Sequence, residues 1–112
     1  MVVAKQLIAP QTIAGTTTTY LTGPAFIRTL LKKVTVTNPG ITALTVTAYI
    51  VPAAATAGVT NLIVDAKTIA AHETKELFEL ENQVVETDQR LQMIASSGAA
   101  LVLCASGVEI TV

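Results

Sequence analysis

The sequence has no tryptophan, one cysteine, one histidine and few charges. A single thiol, Cys104, excludes an intrachain disulfide. One cysteine with one histidine cannot supply the ligands of a thiolate zinc site. Aromatic residues make up 4% of the chain, which leaves few platforms for stacking sugars or bases. The formal net charge is −1, so nothing draws the chain at long range to nucleic acid or to anionic lipid. Charged residues make up 13%, about half the ~25% of an ordinary soluble domain. A surface so poor in charge needs something to cover it. The 112 residues are enough for one domain.

Apolar residues, in contrast, make up 51%. The uncharged stretch from Val34 to Val64 is long enough to cross a membrane, but it holds seven threonines together with Pro39, Gly40, Pro52 and Gly58. Its apolar residues alternate with threonine, as in a half-buried strand, and a membrane span is not expected. Near the N-terminus only Leu7 to Ala9 run apolar before Pro10, short of a secretory core, so synthesis in the cytoplasm is expected. Threonine (18) and valine (13) together outnumber alanine (17) and leucine (11). That balance favours sheet, because β-branched side chains lose freedom in helices.

The chain then divides into short strands. Residues 1–15 read as an N-terminal arm or edge strand, and 16–112 as one β-sandwich domain. Thr16 to Leu21 and Phe26 to Asn38 read as strands separated by Gly23 and Pro24. In the second, Lys32 falls on the apolar face and Leu31 on the polar one, which a bulge near Lys32 would resolve. Asn38, Pro39 and Gly40 predict a type II turn with positive φ at Gly40. The alternation on both sides predicts a hairpin from Val34 to Val51. Leu62 to Ile69 reads as a strand with Ile63 and Ile69 sharing the polar face of Asp65 and Lys67. Leu91 to Ala95, Ala99 to Cys104, and Val108 to Val112 are further strands. Leu101 to Cys104 is apolar on both faces, as in a central strand. Glu73 to Arg90 fits two periods: a strand over Thr74 to Leu80 is expected, then a turn or short helix over 81–88. Seven to nine strands at this spacing predict an all-β fold, an antiparallel two-sheet sandwich of jelly-roll or Ig-like type.

No catalytic constellation assembles from these residues. His72, between Ala71 and Glu73, reads as a polar turn residue rather than a general base. Cys104 reads as a small, inert core residue. The carboxylates from Glu73 to Asp88 read as a solvated face rather than paired acids of glycoside hydrolysis. Asp65 and Asp88 lack calcium-loop spacing, and the glycines are too scattered for a phosphate cradle. No enzyme activity, cofactor or metal is expected.

Charge is unevenly placed along the chain. Residues 1–72 carry Lys5, Arg28, Lys32, Lys33 and Lys67 against Asp65, a net +4. Residues 73–90 carry six acidic groups against Lys75 and Arg90, a net −4. Two readings stay open: polar rims of one sandwich, or complementary patches on neighbouring subunits.

Ile69 to Thr74, Leu80 to Leu91, Ile94 to Ser97 and Ala105 to Thr111 resemble the small structural proteins of tailed bacteriophages. The Val34 to Asn38 and Thr45 to Pro52 strand ends are similar in style. The resemblance implies a capsid decoration or cement protein, located on the virion surface. Its partners would be the major capsid protein and further copies of itself, as a dimer or trimer, with no nucleic acid and no membrane. The expected contact residues are Val2, Val3, Leu7 and Ile8 in the arm, and Lys32, Lys33, Glu76, Glu79 and Glu81 in the charged segments. The alternatives are a tail or head–tail junction component, and a carbohydrate-binding or adhesive sandwich module.

Overall fold

The computed structural model describes residues 1–111. Its strands are β1 (Val2–Thr12), β2 (Thr18–Thr22), β3 (Ile27–Thr37), β4 (Leu44–Val51), β5 (Leu62–Ile69), β6 (Thr74–Glu76), β7 (Val84–Val85), β8 (Arg90–Ala95) and β9 (Val102–Thr111). One 3-10 turn, Val59–Asn61, precedes β5. The first sheet has the order β1-β9-β3-β6, with β7 also on β3; the second has the order β2-β8-β4-β5. All pairings are antiparallel.

The pairing is nested. β1 pairs with β9, β2 with β8, β3 with β6 and β7, and β4 with β5. The chain is thus one long antiparallel ribbon, rolled so that successive pairs fall in alternate sheets. This is the jelly-roll arrangement, and it decides between the two sandwich types the sequence leaves open. The core between the sheets is built by Leu31, Val34 and Val36 of β3 and Leu103 and Ala105 of β9, facing Val46 and Ala48 of β4 and Leu91 and Met93 of β8.

The hairpin expected from Val34 to Val51 does not form. β3 and β4 lie in different sheets, and the segment between them crosses the end of the sandwich. Asn38 pins that crossing. It is fully buried. Its side-chain amide donates to the carbonyls of Thr42 (2.8 Å) and Ile69 (3.1 Å), and its Oδ1 accepts from the Gly40 N–H at 3.0 Å. Its own backbone N–H donates to the Glu73 carbonyl at 2.8 Å. This local side-chain turn replaces the type II turn, and no described glycine has positive φ. Alternation correctly placed Val34, Val36, Val46 and Ala48 inward, but a buried face does not name the partner strand.

Other departures have local causes. The expected strand over Thr74 to Leu80 stops at Glu76. No helix forms over 81–88; β7 sits there between two turns closed by the Gln83 N–H to Leu80 carbonyl and Gln89 N–H to Glu86 carbonyl bonds. Leu77, Leu80 and Val85 are all fully buried, the first two outside any strand and the third in β7, so they plug the core without a long strand. The strands expected at Ala99 to Cys104 and Val108 to Val112 are one strand, β9, with Val112 outside the described residues. The arm pairs with β9 as an edge strand.

Two bulges reconcile the parity conflicts. The β3–β9 register shifts between Leu31 and Lys33, so Leu31 and Val34 both face the core while Lys32 and Lys33 stay exposed. On β5 the register to β4 shifts between Lys67 and Val64, with Ala66 at φ 44. Val64 and Ile69, of opposite parity, are thereby both buried. Opposite the first bulge, Gly107 lies under the Leu30 carbonyl, where any Cβ would collide with it.

Candidate functional site

The register settles which residues leave the sheet outward, and the two outer faces differ. Directly opposed residues of antiparallel strands share a face. Leu103 and Ala105 point inward on β9, so Val108 and Ile110, beyond the buried Gly107, point outward. Val108 is flanked by Ala4 of β1 and Leu30 of β3, and Leu30 by Val84 of β7. Ile110 is flanked by Val2 and Arg28. An apolar row, Ala4–Val108–Leu30–Val84, therefore runs across four strands on the outside of the first sheet. Val2 is 66% exposed and Val84 39%; Val108, Ile110 and Leu30 are half-buried. The outer face of the second sheet carries Thr19, Thr45, Thr47, Thr68, Tyr49 and Gln92, with Ile94 opposite Thr47 and Leu62 opposite Tyr49, so its apolar residues stand among threonines rather than in a row.

Of the expected contact residues, Val2 and Val3 are exposed on β1. Ile8 must be corrected: only 2% of it is exposed and it belongs to the core of its own chain. Leu7 is half-buried and packs on that core. The register shifts in β1 on either side of Ile8 turn its side chain inward.

The charged residues come together within one chain. Arg28 pairs with Glu86 at 3.1 Å, Lys33 with Glu76 at 3.6 Å and Lys67 with Glu79 at 2.9 Å. Lys32 donates to the Asn82 side-chain oxygen, and Glu81 accepts the Val34 N–H, both at 3.3 Å. The basic strands and the acidic segment thus neutralise each other where that segment folds across β3. Exposed pairs of this kind add little stability, each about 1 kcal/mol or less. Their consequence is a face with little net field. The Lys67 ammonium donates to the Glu79 carboxylate and holds it below its ordinary pKa; a backbone hydrogen bond and the charge of Lys75 act in the same direction. The same ammonium lies 5.6 Å from the ring centre of Phe78, which is 67% exposed.

His72 sits in an exposed turn with φ 56. Cys104 differs from expectation: it is half-buried on the outward side of β9, opposite Thr35, because the core face belongs to Leu103 and Ala105. Among the described residues no cavity is found, and no group of three metal-ligating side chains converges. Ala4, Leu30, Val84, Val108 and Ile110 were missed as surface residues. Their signal was parity: Val108 and Ile110 are out of phase with Leu101, Leu103 and Ala105.

Comparison with protein-family models, curated proteins and solved structures finds no match to this chain.

Proposed function

We propose that this chain is a non-enzymatic structural protein of a virion, a decoration or cement protein that seats on the outer capsid shell and bridges major capsid subunits. The observation that carries this reading is the outward-facing apolar row Ala4–Val108–Leu30–Val84. Apolar, ring-poor side chains suit contact with another protein surface better than recognition of a polar small molecule. The charges around the row are already paired within the chain, so covering it strands few lone charges. Jelly rolls serve in viral shells, lectins and cupins alike, and fold alone therefore does not choose among them. The resemblance of Ile69 to Thr74, Leu80 to Leu91 and Ala105 to Thr111 to phage structural proteins favours the virion.

The test is re-addition. Particles grown without this protein are mixed with the purified chain, pelleted, and heated while DNA release is followed. Saturable co-pelleting and a raised release temperature are expected. Replacing Val108 with Glu, an outward position on a strand held by two neighbours, should abolish co-pelleting without unfolding the chain. Particles that neither bind the wild-type chain nor gain heat resistance would overturn the proposal.

A further inference from the structure

The free edge of β1 has two unlike halves. From Leu7 onward it carries the devices that discourage edge pairing: register shifts between Gln6 and Ile8 and between Ile8 and Gln11, and Pro10, which lacks an N–H. From Val2 to Gln6 it carries only Lys5, whose ammonium is held by Glu109 of the same chain at 3.3 Å. The register to β9 is unbroken there, and all five residues are exposed.

The direction of the free backbone groups follows from one bond. The Thr111 N–H donates to the Met1 carbonyl, so Met1, Val3 and Lys5 turn their backbone groups toward β9. Val2, Ala4 and Gln6 consequently turn theirs away from the sheet. Three successive donor–acceptor sites lie open on the edge of the same sheet that bears the apolar row.

We propose that β1 pairs antiparallel with β1 of a second copy of this chain, about a two-fold axis at Ala4. The edge is self-complementary in that register. Ala4 exchanges two backbone bonds with Ala4 of the other copy, and Val2 and Gln6 exchange two each with Gln6 and Val2. The apolar row then continues through the small Ala4 pair, so the two rows become one surface spanning both protomers. Lys5 faces Val3 of the other copy and keeps its own Glu109, 3.3 Å away, so the seam buries no unpaired charge. A two-fold closes after two copies, which fixes a dimer at this edge and excludes a trimer through it. This gives a geometry to the self-association that the resemblance implies and stands independently of the proposed virion role.

Sedimentation of the full chain over a range of concentrations tests it. Wild type should pass from monomer to dimer as concentration rises. Ala4→Pro removes an N–H that points away from β9, so the fold is retained while self-association weakens by about tenfold or more. Far-UV circular dichroism checks the fold. Ala4→Cys in a Cys104→Ser background gives an independent reading. The paired Cα atoms would stand about 5.5 Å apart, inside the range a disulfide spans. Oxidation should yield a covalent dimer from Ala4→Cys and none from Ala9→Cys. A wild-type chain that stays monomeric at the highest concentration, or a dimer indifferent to Ala4→Pro, overturns the proposal. Should Ala4→Pro fail to fold, absence of the Ala4→Cys crosslink overturns it instead. A dimer missing from particles would sink the virion reading alone; a monomer found on particles would sink the dimer alone.

Discussion

Replacing Gly107 with alanine should damage this fold more than its single methyl group suggests. Gly107 lies inward on β9, opposite the β3 bulge, and a Cβ there would fall on the Leu30 backbone carbonyl and come within 2.7 Å of Leu7 Cδ1. Leu7 can turn aside; the carbonyl belongs to a central strand and cannot. Overpacking of a core typically costs about 1–3 kcal/mol. Distortion of the neighbouring ladder adds about 1 kcal/mol for each weakened hydrogen bond. Loss of glycine's unfolded-state freedom returns about 0.5–1 kcal/mol. The balance is a destabilisation of about 2–3 kcal/mol, or a fall in Tm of about 8–12 °C at this size. Urea denaturation followed by circular dichroism reads it as a lower midpoint at constant slope. Gly58→Ala is the control: its backbone is extended, with φ −171, and nothing lies within 4 Å of its Cβ position. That variant should match wild type or gain up to about 1 kcal/mol. A Gly107→Ala protein within about 0.5 kcal/mol of wild type, the scatter of a neutral surface change, would refute the bulge geometry.

Three other substitutions probe separate features. Thr29 is fully buried and its hydroxyl has no partner, so Thr29→Val should stabilise the protein by about 1 kcal/mol, read as a higher urea midpoint. Asn38→Ala strands two carbonyls and one N–H at the crossing and should cost about 2–4 kcal/mol in the same assay. Glu79 has its pKa held below 4.5 by Lys67. A lowered folded pKa contributes stability above the ordinary value and loses it as pH falls through the folded one. Any advantage of wild type over Glu79→Gln near neutrality should therefore shrink as pH drops through and below 4.5, measured as the difference in Tm across a pH series.

Sheet content and burial were legible in the sequence because a two-residue period marks which side chains turn inward. Lys32 in phase with Val34, and Leu31 out of phase with it, announced a bulge, and a bulge is there. Pairing was not legible. A jelly roll joins strands distant in sequence, such as β1 with β9, and sends β3 and β4, which the turn signal reads as a hairpin, to opposite sheets. The Asn38-Pro39-Gly40 signal marked a change of direction, but the buried Asn38 amide made it a crossing. The segment from Glu73 to Arg90 was ambiguous because Leu77 and Leu80 plug the core from outside any strand and Val85 from a strand of two residues, too short to show a period. For the candidate surface, the sequence supplied Val2; Val3 is exposed but shares the opposite face with Glu109. Val108 and Ile110 are out of phase with Leu103 and Ala105, but that parity separates them from the core only once Val102–Thr111 is one strand, and the sequence reads as two.

The claim that this chain coats a shell is tested most directly by its copy number, measured by quantitative mass spectrometry of purified particles against the major capsid protein. A decoration protein should be present in hundreds of copies, in fixed proportion to the shell subunit. About a dozen copies or fewer, as the symmetry of a tail or portal ring would give, or none at all, would contradict it.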